Sequence, residues 1–326
     1  MRRRTFATLL GAASTTPFAA LAQPASLPRI GYLSGRSYAT DAHLLQAFRE
    51  GLKSVGHVDG QNVTVDVRWA DSRYNQVPAM MAELVATKPN VIAAVGGNPV
   101  GLAAKAATST IPVVFSAGAD PVEIGLVSNF SRPVGNLTGI TLWAAELDAK
   151  RIDLLREMLP NMRTVALLMN PTNPGARREL QGAQEIAGKL GLNLDIQNAS
   201  SSAEIERAFL TWPEGKADAL AVIADAFLIN QRRRIMALAG NRRLPAIYPS
   251  REFTDDGGLA SYGARWADMY RIVGTYAGRL LKGEKPADLP IQRPTTYELV
   301  INLRTAKSLG LTMPPILLAR ADEVID

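Results

Sequence analysis

The chain is predicted to be an α/β protein of two lobes, each built on a parallel sheet. Three observations predict it. Strand, loop and helix follow one another repeatedly along the chain. About nine strand-like runs exceed the five or six strands of one ordinary sheet. An irregular segment rich in Gly, Pro and Asn, 117–142, divides those runs into two series. Strands alternating with helices imply parallel sheets joined by right-handed crossovers.

In the first series, Arg29 to Leu33 reads as a buried strand. Leu44, Phe48, Leu52 and Val55 recur at helical spacing, so Asp41 to Val55 is a helix, with Gly56 suited to its end. Val63, Val65, Val67 and Trp69 alternate with polar residues, as a strand with one wet face does. Val77 to Thr87 is helical, and Pro89 follows it. Val91 to Val95 is a short apolar run, as expected of a strand covered on both faces. Pro99 to Thr108 is helical and Ile111 to Phe115 is another buried strand.

The second series repeats this rhythm. Ile152, Leu155 and Met158 mark a helix, and Val165 to Met169 a strand. Leu180, Ala183, Ala187 and Leu190 mark a helix closed by Gly191. Leu192 to Ile196, Leu220 to Ile223 and Pro245 to Tyr248 are strands, separated by helices around Ile205 and Ile235. Trp266, Met269, Val273, Tyr276 and Leu280 form a long amphipathic helix ending near Gly283. The proline-punctuated end holds one strand, Tyr297 to Asn302, and one short helix, Leu303 to Leu309. The expected organisation is a first lobe of residues 28–141 and 250–285, and a second of 142–249 and 286–326.

Arg2, Arg3 and Arg4 precede an apolar and small-residue stretch, Phe6 to Leu21, that ends in Ala20-Leu21-Ala22. That three-part pattern predicts a signal peptide over residues 1–22, hence export to the periplasm. Arg3-Arg4-Thr5-Phe6 also fits a twin-arginine signal, although ordinary export signals begin with arginines as well. No other apolar run is long enough to span a bilayer. The leader carries three Arg and no acid, so its removal lowers the formal charge from +6 to +3. Arg232-Arg233-Arg234 and Arg242-Arg243 lack interleaved aromatics and read as a solvated face, so nucleic acid is not an expected partner.

In open parallel sheets, ligands sit beyond the carboxyl ends of the strands. The segments there are Ser34-Gly35-Arg36-Ser37, Gly96-Gly97-Asn98-Pro99, Ser116 to Pro121, Asn170 to Pro174, Ala224-Asp225-Ala226 and Tyr248-Pro249-Ser250. They share small residues, neutral hydrogen-bonding side chains and helix starts, whose free N–H groups attract an anion. Asp120 or Asp225 suits an ammonium group. The same residue types also cap helices and make turns, and only their recurrence at six strand ends favours a binding site. Trp143 and Tyr262, near loops or crossings, are candidates to stack on a ligand.

Catalytic patterns are scarce. The chain has 0 Cys and 2 His, His43 and His57, which excludes thiolate chemistry and leaves little for a triad. Those histidines are 14 residues apart, without ligand-like spacing, so no metal is expected. Gly31-Tyr32-Leu33-Ser34-Gly35 places its serine one position late for a G-x-S-x-G elbow. Gly96, Gly97 and Gly101 do not match G-x-G-x-x-G, and no phosphate-binding G-x-x-x-x-G-K-[ST] occurs, so no cofactor is expected.

Several stretches together resemble the ABC-transporter substrate-binding proteins of the tryptophan/tyrosine-binding type. They are the Arg-rich leader, Ile30-Gly31-Tyr32-Leu33-Ser34, Phe48-Arg49-Glu50-Gly51-Leu52, Ile111-Pro112-Val113-Val114-Phe115 and Asp120-Pro121-Val122. Gly135-Asn136-Leu137-Thr138-Gly139, Gly257 to Gly263 and Leu281-Lys282-Gly283-Glu284-Lys285-Pro286 continue the match over the mature chain. The resemblance implies a type I periplasmic binding fold: two Rossmann-like lobes, three inter-lobe crossings and closure on a small ligand. It implies a permease partner in the inner membrane with its ATPase on a separate chain, and no catalysis. By matched strand ends it transfers ligand contact to Ser34, Asn98, Asp120, Thr141, Asn170, Asp225 and Ser250. Gly97-Asn98-Pro99 departs from the family's usual Thr-Pro or Ser-x-Ala turn. An exported sensor that reports to a membrane receptor shares the same ligand physics, and an exported racemase or hydrolase is a third reading.

Overall fold

A computed structural model describes residues 27–213 and 215–326. The leader predicted over residues 1–22 lies outside these residues. In the first lobe, β1 (Arg29–Ser34) leads into α1 (Tyr38–Ser54), β2 (Thr64–Trp69), α2 (Val77–Ala86) and β3 (Val91–Val95). Then come α3 (Asn98–Ala107), β4 (Val113–Ala117) and β5 (Leu137–Thr141). The strands form one parallel sheet in the order β2-β1-β3-β4-β5. β3 and β4 are buried along their whole length, which explains their unbroken apolar character.

The second lobe begins with α4 (Ala144–Met158), β6 (Thr164–Met169), α5 (Ala176–Leu190), β7 (Asn193–Asn198) and α6 (Ser202–Thr211). It continues through β8 (Ala219–Val222), α7 (Ala226–Asn230), α8 (Arg232–Asn241), β9 (Ala246–Tyr248), α9 (Arg251–Asp255) and β10 (Ala260–Ala264). The long α10 (Trp266–Leu281) returns to the first lobe. The chain then adds β11 (Tyr297–Asn302), α11 (Leu303–Ser308), α12 (Pro315–Arg320) and β12 (Glu323–Ile325) to the second. The second sheet runs β12-β11-β10-β9-β8-β6-β7, with β11 antiparallel to β10. Each sheet carries an apolar core on both faces.

The lobe boundaries differ from those expected. β10 pairs with β9 and β11, so residues 250–264 lie with the second sheet and not the first. Residues 286–292 stay with the first lobe instead: Leu289 accepts a bond from Thr138 Oγ1, and Gln292 N–H donates to Gly139 O. The three crossings are therefore 142–143, Arg265 and 293–296.

The first and third crossings brace each other. Gln292 O accepts from Thr141 N–H at 2.9 Å. Trp143 begins α4 in a left-handed conformation (φ 55°), and the Arg293 guanidinium lies 3.3 Å from its ring centroid. The aromatic expected to stack on a ligand thus already carries a cation. α10 seats on α1 through glycine: a Cβ on Gly51 or Gly274 would stand 2.0 Å from the carbonyl oxygen of Arg271 or Phe48.

Candidate functional site

The carboxyl ends of the two sheets face each other, and the lobes touch there through side chains. Asn98 opens α3, is buried, and uses Oδ1 to accept from the N–H groups of Gly118 and Ala119 at 2.8 and 3.1 Å. Its Nδ2 crosses the cleft and donates to Asn173 Oδ1 at 2.8 Å. Asn173 Nδ2 in turn donates to Asp225 Oδ2 at 3.0 Å. Tyr74, in the turn before α2, donates back across the cleft to the same oxygen at 3.1 Å, and its hydroxyl accepts from Phe227 N–H at 3.1 Å. Thr40 Oγ1 donates to Asn230 Oδ1 at 2.9 Å nearby. A continuous hydrogen-bonded chain thus crosses between the lobes twice.

Asp225 follows β8 and caps α7. Its Oδ1 accepts from Leu228 N–H at 3.1 Å and from Asn170 Nδ2 at 3.3 Å, while Oδ2 takes Asn173 and Tyr74. Burial raises its carboxyl pKa, and those four donors oppose the rise. Burial and the charge of Asp225 push the Tyr74 phenol well above its ordinary range. Every favourable acceptor direction of Asp225 is in use, so it fastens the lobes and caps a helix rather than standing free for an ammonium group.

Behind this chain lies a cavity closed between the lobes. The first lobe supplies Arg36, Gly96, Gly97, Asn98, Ser116 and Gly118; α10 adds Trp266 and Met269; the second lobe supplies Asn173, Ala224, Ala226 and Ile229, with Leu142 at the crossing. About 20 Å³ is open to water centres, a little above the ~10–15 Å³ that one water needs. A solute of amino-acid size therefore requires the lobes to part. Two glycine turns let the backbones meet at the floor of the cavity. A Cβ on Gly35 would lie 2.4 Å from Gly96 O, and Gly96 itself holds φ 78°.

The charged group of this cavity is Arg36, which sequence reasoning had placed in a turn without a role. Its side chain is 1% exposed. Nε pairs with Asp41 Oδ2 at 2.6 Å, and the guanidinium lies 5.1 Å from the Trp266 ring centroid. Nη1 and Nη2 have no hydrogen-bond partner. Burial disfavours the guanidinium's charge, but Asp41 together with Tyr270, Glu252 and Tyr32 more than restores it. Asp41 is itself pushed up by burial against the pull of Arg36. The hydroxyls of Tyr32 and Tyr270 are buried nearby, and the charges of Arg36 and Asp41 act on both.

The other expected site residues divide by position. Ser34 and Gly35 shape the turn that carries Arg36: Ser34 Oγ accepts from Arg36 N–H at 3.2 Å, and Gly35 N–H donates to Val95 O at 2.9 Å. Asn170 orients Asp225 from the second lobe. Asp120 and Trp143 line a separate outer groove along α4 and α5, where Asp120 Oδ1 caps its own turn through Val122 N–H at 2.7 Å. Buried Pro121 follows it. Thr141 is buried and donates to Ala119 O at 2.8 Å, bracing the first crossing. Ser250 is buried at the start of α9. Tyr262 stacks on Tyr297 at 6.3 Å and accepts from Arg151 Nε through its carbonyl at 2.8 Å. Of the expected site residues, Gly97 and Asn98 belong to the cavity lining and the other ten do not.

A family profile described as "ABC transporter substrate binding protein" matches residues 38–325. The chain belongs to that family. It is similar to a "Tyrosine-binding protein" of Clostridioides difficile (strain R20291), 25% identical over 266 residues that make up 82% of this chain and 76% of the relative. Among solved structures it resembles an ABC domain from Streptococcus pneumonia in complex with L-Trp. That similarity has a TM-score of 0.85 and 26% identity, over 92% of this chain and all of the other. A conserved domain protein from Vibrio cholerae gives a TM-score of 0.86 and 25% identity over the same shares. The family and these neighbours bear out the expected tryptophan/tyrosine-type resemblance and the two-lobed type I fold.

Proposed function

We propose that the protein is the extracytoplasmic solute receptor of an ABC importer, which captures a small polar molecule between its lobes and delivers it to a separate permease. The cross-cleft chain Asn98–Asn173–Asp225–Tyr74 carries this reading. Its members come from both lobes, and the Asn98–Asn173 and Tyr74–Asp225 bonds form only when the lobes are together, so closure has its own fastening around the cavity. Family membership supports transport over catalysis. The relatives named for tyrosine and L-Trp support a solute of amino-acid size. Among the described residues, no helix is long and apolar enough to cross a membrane, which fits a receptor that visits its permease.

The test is a thermal-shift screen against amino acids, carboxylates, amines and sugars, followed by small-angle scattering with each hit. A ligand at one hundred times its Kd adds about 2.7 kcal/mol to the folded state. That corresponds to a rise in Tm of roughly 5 °C in a protein of this size. A hit that also contracts the protein supports the receptor reading. A screen in which no class raises Tm defeats it.

A further inference from the structure

Resting on the receptor reading, the geometry points to a narrower ligand class: we propose that the cavity takes a carboxylate with an apolar body, held by Arg36, and has no side-chain anchor for an ammonium group. The buried guanidinium has its Nε ion-paired with Asp41 Oδ2 at 2.6 Å, in an alignment that makes no hydrogen bond, and leaves Nη1 and Nη2 without a partner. Buried donors without acceptors are costly, and two such nitrogens on a planar fork match the two oxygens of a carboxylate. A lysine or a helix start offers no such bidentate match.

The rest of the lining shows what lies beyond the carboxylate. No acidic side chain lines the cavity among the described residues. Asp41, the acid against the lining, is ion-paired with Arg36, and Asp225, beside the lining in sequence, has both oxygens taken by four donors. The amides of Asn98 and Asn173 are neutral and give an ammonium group no counter-charge. What remains toward α10 and the second lobe is apolar: Trp266, Met269, Leu142, Ala226 and Ile229. An α-ammonium group placed there would be desolvated without a free counter-charge, which a low-dielectric site penalises strongly. A hydrocarbon or aromatic body gains from the same surroundings.

Wild-type protein is titrated calorimetrically with four probes that share one ring: 3-phenylpropanoate, L-phenylalanine, phenethylamine and 3-phenylpropanol. Butyrate, 2-aminobutyrate, butylamine and butanol form a parallel aliphatic set. In at least one set the carboxylate binds at least tenfold tighter than the amine and the alcohol, and no weaker than the amino acid. An amino acid that binds tenfold tighter than its des-amino partner overturns the proposal, as does an amine or alcohol that binds best. If neither set binds while the broader screen yields a neutral or amine solute, the carboxylate proposal falls and the receptor reading stands. If nothing binds in any class, both fall. Arg36→Lys keeps the charge but loses the fork, and is expected to weaken the carboxylate at least tenfold with the lobes still folded; unchanged affinity overturns the assignment. Should that variant fail to fold, the wild-type series decides alone.

Discussion

Tyr74→Phe removes one hydroxyl and nothing else from the fastening between the lobes. That hydroxyl donates to the Asp225 carboxylate at 3.1 Å and accepts from Phe227 N–H at 3.1 Å. A hydrogen bond to a charged group contributes about 1.5–3 kcal/mol, and a neutral one about 1. Both exist only while the lobes are together; apart, the same groups are met by water. The closed form should therefore lose roughly 3 kcal/mol relative to the open form, about a hundredfold in the equilibrium. A ligand that binds only the closed form loses affinity by up to the same factor, without itself touching Tyr74. Small-angle scattering of the ligand-free variant should show a larger radius of gyration, and calorimetry a weaker Kd for any hit from the thermal screen. A variant with wild-type compactness and wild-type affinity would refute the claim that this chain of bonds fastens the lobes.

Two further outcomes are expected. Glu179 is buried with both oxygens unpartnered; burial and the charges of Asp148 and Asp225 push its carboxyl well above the ordinary range. Folding therefore favours its protonated form, and stability falls as pH rises from the unfolded carboxyl range toward that raised value, by about 1.4 kcal/mol per pH unit for one proton. Glu179→Gln should raise Tm at pH 7 more than at pH 4.5, and an equal change at both would contradict this account. Gly35→Ala forces a methyl group to 2.4 Å from Gly96 O, where backbone must move. Thermal denaturation should show a loss of about 1–3 kcal/mol, and an unchanged Tm would mean the two turns have slack.

Much of the fold was legible because buried parallel strands write themselves as apolar runs. Val91–Val95 and Tyr297–Asn302 occupy the positions their composition predicts. Leu137–Thr141 and Ala260–Ala264 did not announce themselves, since Leu-Thr-Gly-Ile-Thr and Ala-Ser-Tyr-Gly-Ala hold small and polar residues that only their neighbours bury. Missing the second of these moved the expected lobe boundary. α7 and α9, five residues each, are too short to show a helical period. The strand-end rule located the cleft, and Gly97 and Asn98 do line its cavity. It could not distinguish a free Asp225 from a saturated one, because its partners come from distant parts of the chain, Tyr74 from the turn before α2 and Asn170 and Asn173 from the turn after β6. Arg36 was hidden for the same reason: its burial depends on Asp41 in α1 and on Trp266 far along the chain.

The placement of α10 bears on how the molecule comes into being. This helix covers, beside α1, the face of the first sheet that holds Tyr32, Ala93 and Val114, yet it is synthesised after most of the second lobe. Until residue 281 has been made, the early chain carries an uncovered greasy surface. The second sheet in turn waits for β11 and β12, which are made later still. Neither half can mature alone, so a chain cut near residue 265 should yield two aggregating fragments instead of two working lobes.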